Sequence, residues 1–177
     1  MTQIDDLRAA LGAGRERLLQ VISGVSEDQF KKRPPAPADG TPAWCIAEVL
    51  AHLLQQERLR AERIRLAIEQ PETVITPSTD EVHYEAARAG RGSPVPQLIH
   101  GLLASRREVE RLLDQAASLE AGLQRAVIHP RLGRQTIAWI VREKLIAHEA
   151  EHVAQIEAVK AALADQQPAT SNRQPGG

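Results

Sequence analysis

Aromatic residues are scarce in this 177-residue sequence, where Phe, Trp and Tyr together make up only 2% of the chain. This scarcity argues against a broad aromatic platform of the kind that stacks on unpaired nucleic-acid bases or on sugar rings. Cysteine is rarer still, because Cys45 is the only one. A single cysteine excludes an internal disulfide framework and a zinc site built from several thiolates.

An excess of charge of one sign is also missing, since 22 Lys and Arg residues face 23 Asp and Glu residues, for a formal net charge of −1. This balance argues against a general nucleic-acid binder, which needs excess positive charge to neutralise phosphates. No run approaches the ~20 apolar residues that cross a bilayer. The N-terminal stretch contains Asp5 and Asp6 and is unlike a signal peptide. We therefore expect a cytoplasmic protein without a membrane segment.

Hydrophobic residues make up 42% of the chain and charged residues 25%, which is typical of a globular domain. Apolar residues recur at helical spacing along most of its length. The clearest series, over residues 98–119, keeps a 4-3 spacing through three heptads. Four long helices are predicted, over residues 4–25, 42–70, 94–119 and 135–164, with a short helix near residues 27–32.

Proline and glycine separate these helices, because neither is compatible with an undisturbed helix interior. Residues 33–41 are predicted to be a connector, residues 71–93 a long loop with one helical turn near 85–88, and residues 123–130 an extended or looped segment. No strand is convincing. The sequence thus predicts an all-α fold, a four-helix bundle with long crossing loops over residues 1–166. The polar residues 167–177 are predicted to be a disordered tail.

His148 and His152 are four residues apart on the last predicted helix, in register with Leu145 and Ile156, so they are predicted to face the core. At this spacing the Cβ atoms are ~6 Å apart, and two imidazoles can share one metal ion. Buried imidazoles need partners, because an unsatisfied buried polar group costs ~1–3 kcal/mol. A metal ion would meet that need. The alternative is a pair of hydrogen-bonded core or surface histidines.

The run HEAEH at residues 148–152 also matches the His-Glu-x-x-His pattern of zinc proteases, with Glu149 in the place of the general base. Those enzymes need a third ligand downstream and a sheet edge that holds the peptide. Here only Glu157 follows as a nearby carboxylate, and no strand is predicted upstream. We therefore reject a protease and expect the third ligand on another helix, where His52 is the best candidate.

Three segments together resemble a known family. The segment WCIAEVLAHL at residues 44–53 is followed by Glu57, and HPRLGRQT at residues 129–136 precedes HEAEHVAQI at residues 148–156. Their order and separation are similar to the signatures of the DinB-like (YfiT-like) metalloenzyme superfamily. The resemblance covers about residues 1–163.

This resemblance implies a bundle in which His52, His148 and His152 bind a divalent metal ion. It also implies transferase or isomerase chemistry with a low-molecular-weight thiol, such as bacillithiol or mycothiol, and a homodimer. Three neutral imidazoles leave an open position for water or for a thiol whose pKa the ion lowers. Zinc and nickel both suit imidazole ligands.

Other side chains are weaker candidates. Glu48 and Glu149 are possible proton acceptors, and Glu48 is also a possible hydrogen-bond partner for a ligand imidazole. Arg131 and Arg134 could pair with the carboxylates of a thiol, or could be solvated surface charges. Cys45 near a helix N-terminus could be a nucleophile, although a small buried thiol is the simpler interpretation.

Three functions stay open. The first is a metal-dependent enzyme that transfers a thiol to a small electrophile or uses it in isomerisation. The second is a metal-dependent hydrolase of the same fold. The third is a metal-binding bundle linked to stress that turns nothing over. The three intact ligand positions favour an enzyme with a small-molecule substrate.

Overall fold

Four long helices carry the fold in the computed structural model, which describes residues 2–36 and 43–166. Each helix buries the apolar stripe that its three- and four-residue spacing predicts. The helices are α1 (Gln3–Ile22), α3 (Ile46–Glu69), α5 (Val95–Ala117) and a last helix over residues 137–164. The predicted all-α four-helix bundle is confirmed. The predicted tail and the predicted start of the second helix lie outside the described residues, and α3 begins at Ile46.

Two short helices join the long ones. Helix α2 (Glu27–Lys31) lies where the short helix near residues 27–32 is predicted. Helix α4 (Asp80–Gly90) corrects the predicted loop, which allowed only one helical turn. Gly90 was interpreted as a loop residue, whereas it ends α4 where that helix touches α3. A Cβ atom on Gly90 would lie 2.3 Å from the Cβ of Ala51, so only glycine permits this approach.

A β-hairpin precedes the last helix and corrects the prediction that the chain has no strand. Strand β1 (Ala126–His129) pairs antiparallel with β2 (Gly133–Thr136), and Val74 adds an isolated parallel bridge to β1. Each strand has only four residues, too few for an alternating pattern to stand out. Because β2 contains residues 135 and 136, the last helix begins at Ile137 rather than at residue 135.

The last helix has three parts: α6 (Ile137–Trp139), a π-helical segment (Ile140–Ile146) and α7 (Ala147–Ala164). The π-helical segment ends two residues before His148. Such wide turns are rare and occur often at functional sites.

The buried apolar residues form two clusters along the bundle, and a polar layer separates them. On α1 the layer lies between Leu11 and Leu18, and on α5 between Leu102 and Val109. The same division occurs on α3 and on the last helix. A polar layer at this depth has to pair its own charges, because burial removes much of the hydration that would otherwise stabilise them.

Four charged side chains, one from each long helix, meet in this layer. We name Arg15, Glu57, Arg106 and Glu149 the ion tetrad. Arg15 Nη2 donates to Glu57 Oε2 over 2.6 Å, and Arg106 Nε donates to Glu57 Oε1 over 2.5 Å. Arg106 Nη2 donates to Glu149 Oε2 over 2.9 Å, while Arg15 Nε lies 2.9 Å from Glu149 Oε1 in an ion pair. No member exposes more than 7% of its side chain.

The ion tetrad is balanced in charge and closely surrounded. Burial acts to lower the pKa of Arg106, but the carboxylates of Glu57 and Glu149 outweigh it and raise that pKa. A Cβ atom on Gly14 would lie 2.9 Å from Glu149 Oε2, so glycine at this position of α1 leaves room for the carboxylate. The sum of two cations and two anions is zero, which makes burial of all four tolerable.

We predict that Glu57→Ala lowers the free energy of unfolding by about 3–5 kcal/mol, because it leaves two buried guanidinium groups sharing one carboxylate. Glu62→Ala on the same helix is the matched control. Glu62 pairs with Arg65 at the surface, so its loss should cost at most ~1 kcal/mol. Urea unfolding of both variants measures the difference, and equal small losses would show that the ion tetrad does not stabilise the fold.

Candidate metal centre

Three imidazole rings meet beside the ion tetrad. Helix α3 contributes His52, and α7 contributes His148 and His152 from one face. The Nε2 atom of His148 lies 3.3 Å from Nε2 of His52 and 3.2 Å from Nε2 of His152. One ligand nitrogen from each ring lies within 4.8 Å of the other two. The structure therefore brings together the three histidines that the sequence singles out.

The spacing of these nitrogen atoms fits a shared metal ion. Two nitrogen ligands ~2.0–2.1 Å from one tetrahedral zinc ion are about 3.3–3.4 Å apart. The two Nε2 separations of 3.3 and 3.2 Å agree with that geometry. Three nitrogen atoms from three helix turns supply the donor set that catalytic zinc sites use, with a fourth position left for substrate or water.

The surroundings of Nδ1 in His152 indicate which ring nitrogen is free to bind a metal ion, and Nδ1 of His52 has different surroundings. His152 Nδ1 lies 2.7 Å from Gln155 Oε1, an acceptor, so Nδ1 carries the proton and Nε2 keeps its lone pair. His52 Nδ1 is buried and has no hydrogen-bond partner among the described residues. Gln155 was missed in the sequence, although a residue three positions after His152 on a helix is well placed to orient its ring.

The three rings are held in the neutral form that binds metals. Burial is the main cause and lowers the pKa of His52 to about 4 and that of His148 to about 3. The charges of neighbouring histidines and of Arg60 act in the same direction. Burial also lowers the pKa of His152, although the hydrogen bond to Gln155 opposes it.

Aromatic and amide side chains enclose the histidine cluster on its outer side. The Trp44 ring centroid is 5.1 Å from that of His52 and 5.9 Å from that of Tyr84 on α4. The His83 ring centroid, also on α4, lies 6.0 Å from that of His52, and His83 contacts Gln56. A pocket of about 530 Å³ lies beside Trp44 and Tyr84. Its lining residues are Arg33, Trp44, Glu81, Tyr84 and Arg88.

Comparison with known proteins identifies the family of this chain. The family model of the DinB superfamily matches residues 10–156. The chain belongs to the DinB superfamily. No curated protein matches it. Among the described residues of this DinB-superfamily chain, no helix has both the length and the apolar character needed to cross a membrane.

Two solved structures share the fold. One is described in these words: "YfiT from Bacillus subtilis is a probable metal-dependent hydrolase with an unusual four-helix bundle topology". Its TM-score is 0.74 at 16% identity, and the alignment covers 91% of this chain and 87% of that one. The other is a protein from Streptococcus pneumoniae, with a TM-score of 0.71, 16% identity, and coverage of 92% and 93%. At these identities the likeness concerns the fold.

The two carboxylates considered as proton acceptors are both engaged by cations. Glu48 is buried and accepts hydrogen bonds from the Cys45 amide and from Arg33. Burial acts to raise the pKa of Glu48, but these partners outweigh it and hold that pKa below its ordinary value. Glu48 thus caps α3 and makes no hydrogen bond to a ligand imidazole. Glu149 belongs to the ion tetrad, although it directly follows His148 in sequence.

The remaining candidates lie away from the metal centre or are inert. Arg134 pairs with Glu72 and donates to a backbone carbonyl on the hairpin side, and Arg131 is exposed in the hairpin turn. Both fit the solvated-charge alternative. Cys45 is fully buried, and burial raises the pKa of its thiol, which favours the structural interpretation over the nucleophile.

We predict that the metal-free protein loses stability as the pH falls from 7 to 5. The folded pKa of His148 lies below its ordinary value of 6.5, so the folded state takes up this proton later than the unfolded state. The stabilising contribution is complete above about pH 6.5 and declines as the pH falls towards the folded value. His148→Gln should reduce the decline between pH 7 and 5 by roughly 1–2 kcal/mol. Chemical unfolding after chelation measures it, and an unchanged slope in the variant would contradict the assignment.

Proposed function

We propose that this protein is a metal-dependent enzyme that transfers a low-molecular-weight thiol to a small electrophilic substrate. His52, His148 and His152 would hold one divalent ion, with zinc or nickel as the expected metal. The observation that carries the proposal is the all-imidazole donor set, which has no carboxylate among its ligands. Neutral ligands leave the full charge of the ion available to act on a fourth ligand.

The residues around the cluster suit thiol chemistry. When bound, a divalent ion lowers the pKa of a thiol beside it, which supplies nucleophilic sulfur at neutral pH. Among the described residues, Glu48 and Glu149 are committed to arginines, so no free carboxylate from this pair is available as a general base. A thiol needs less assistance than water, because its unperturbed pKa is near 8.5.

The pocket against Trp44 and Tyr84 offers space for the electrophile. Its volume of about 530 Å³ falls within the ~300–1,000 Å³ usual for small-molecule sites. The Trp44 ring contacts both the pocket and the His52 ring, so a substrate there lies next to the cluster. In the transfer, sulfur forms a bond to the electrophilic carbon, the leaving group takes the bonding electron pair, and the thiol proton passes to solvent.

Hydrolysis is the second candidate, because the Bacillus subtilis protein of the same fold is described as a probable metal-dependent hydrolase. For this chain, hydrolysis would require that water is activated without Glu48 or Glu149, since both carboxylates are engaged by arginines.

The homodimer that the family resemblance implies stays a prediction.

Transfer to a small electrophile, assayed with a panel of thiols, tests the proposal. The metal-loaded protein should be active with thiol, and chelation or His148→Ala should abolish the activity. His100→Ala is the matched control, because His100 is exposed on α5. Adding thiol to cobalt-loaded protein should also produce a sulfur-to-metal charge-transfer band. Metal-dependent turnover of an ester or amide without thiol, and no such band, would replace transferase with hydrolase.

A further inference from the structure

Two arginines on α3, the helix that carries His52, have no ion pair with a carboxylate in the described part of the chain, unlike the two arginines of the ion tetrad. Arg63 is only 6% exposed, and Arg60 has two buried guanidinium nitrogen atoms, Nε and Nη1, without a hydrogen-bond partner. Among residues 2–36 and 43–166, no ion pair involves Arg60, Arg63 or the nearby Lys144. By contrast, each arginine of the ion tetrad contacts two carboxylates.

An unpaired buried cation is costly, because the protein interior does not replace the lost hydration. Burial, followed by the charge of Arg63, lowers the pKa of Arg60 to about 10, so Arg60 is still a cation at neutral pH. Arg60 makes one hydrogen bond, from Nη2 to Gln56 Oε1 over 2.8 Å. That bond satisfies one nitrogen atom, but in the described part of the chain no carboxylate forms an ion pair with Arg60.

These arginines are connected to the histidine cluster. On α3, Arg63 follows His52 by eleven residues, about three helical turns, and so shares its face. Arg60 contacts Gln56, which contacts His83, whose ring centroid is 6.0 Å from that of His52. The positive charge of Arg60 lowers the pKa of both His52 and His148, which places that charge within electrostatic reach of the cluster.

His129 at the end of β1 adds a neutral donor to this region. Its Nδ1 accepts hydrogen bonds from the amides of Arg131 and Leu132, so its proton is on Nε2. Burial and the charge of Arg63 lower the pKa of His129, which keeps the ring neutral. Within residues 2–36 and 43–166, no ion pair to a carboxylate occupies the guanidinium groups of Arg60 and Arg63 or the ring of His129.

We propose that Arg60 and Arg63 form a binding subsite for the carboxylate or phosphate group of the substrate, so that its reactive end lies at the histidine cluster. A planar guanidinium matches either oxyanion with two parallel hydrogen bonds. Binding of an oxyanion by these two arginines does not depend on the proposed function. Only the statement that the oxyanion belongs to a reacting substrate rests on it. It assigns to Arg60 and Arg63 the substrate contact that the sequence suggested for Arg131 and Arg134.

Binding of inorganic phosphate to the metal-free protein tests the subsite without any chemistry. Calorimetry at fixed ionic strength should show that wild type binds phosphate, and that Arg63→Gln weakens binding about tenfold or more. Arg134→Gln should leave the affinity unchanged, because Arg134 pairs with Glu72 away from the cluster. Wild-type protein that binds phosphate no better than chloride would overturn the proposal.

Thermal unfolding separates a ligand-binding arginine from a structural one. Without phosphate, Arg63→Gln and Arg60→Gln should each raise the Tm of the metal-free protein, because each removes a cation that has no ion pair among the described residues. Phosphate should raise the Tm of wild type and not of the variants. A lower Tm in both variants with unchanged phosphate affinity would show a structural role and overturn the proposal.

A comparison of two thiol substrates, one with a carboxylate and one without a charge, tests whether the subsite takes part in the reaction. The metal-loaded wild type should use 3-mercaptopropionate with a higher kcat/KM than the uncharged 2-mercaptoethanol if the oxyanion is on the thiol, and Arg63→Gln should remove that preference. The same comparison between a charged and an uncharged electrophile tests whether the oxyanion is on the electrophile instead of on the thiol. Phosphate binding without thiol transfer would reject the proposed function and retain the subsite, whereas transfer without phosphate binding would reject the subsite alone.

Discussion

Four buried charges, one from each long helix, determine how the helices of this protein face one another. Arg15, Glu57, Arg106 and Glu149 form their ion pairs only when all four helices have one rotation and one height. Apolar packing alone tolerates small slips, because one leucine can replace another in a neighbouring groove. A shift of one helix by one turn would separate the ion pairs and leave buried charges without a partner, at a cost of several kcal/mol. The ion tetrad therefore favours a single register for the bundle.

That register also places the three histidines of the candidate metal centre. His148 directly precedes Glu149, and His52 lies five residues before Glu57, so the two helices that carry the histidines are aligned by the ion tetrad. The polar layer has one part in which charges cancel and another in which imidazoles converge at 3.2–3.3 Å. In the first part every charge has an opposite charge beside it within the protein. In the second, three ring nitrogen atoms converge at separations that one shared cation would bridge, which is the physical reason to expect a metal ion there.

Helical spacing and the three histidines were enough to predict the bundle and its metal-binding candidates. The ion tetrad was not predicted, although each member interrupts a core stripe, as Arg15 does between Leu11 and Leu18. Four charged residues at core positions, two cations and two anions, indicate a buried ion-pair network. Which cation pairs with which anion depends on the tertiary arrangement. Helix α4 and the hairpin were missed because short elements owe their stability to packing more than to local propensity. The π-helical segment leaves no pattern in the sequence that distinguishes it from an α-helix.

Metal analysis of the untagged protein is the most direct test of a three-histidine metal centre. After loading and dialysis, elemental mass spectrometry should find about one divalent ion per chain. His52→Ala, His148→Ala and His152→Ala should each lower occupancy strongly, because two imidazoles hold the ion far less firmly than three. His100→Ala should keep full occupancy. Stoichiometric metal in the double variant that lacks His148 and His152 would contradict the account.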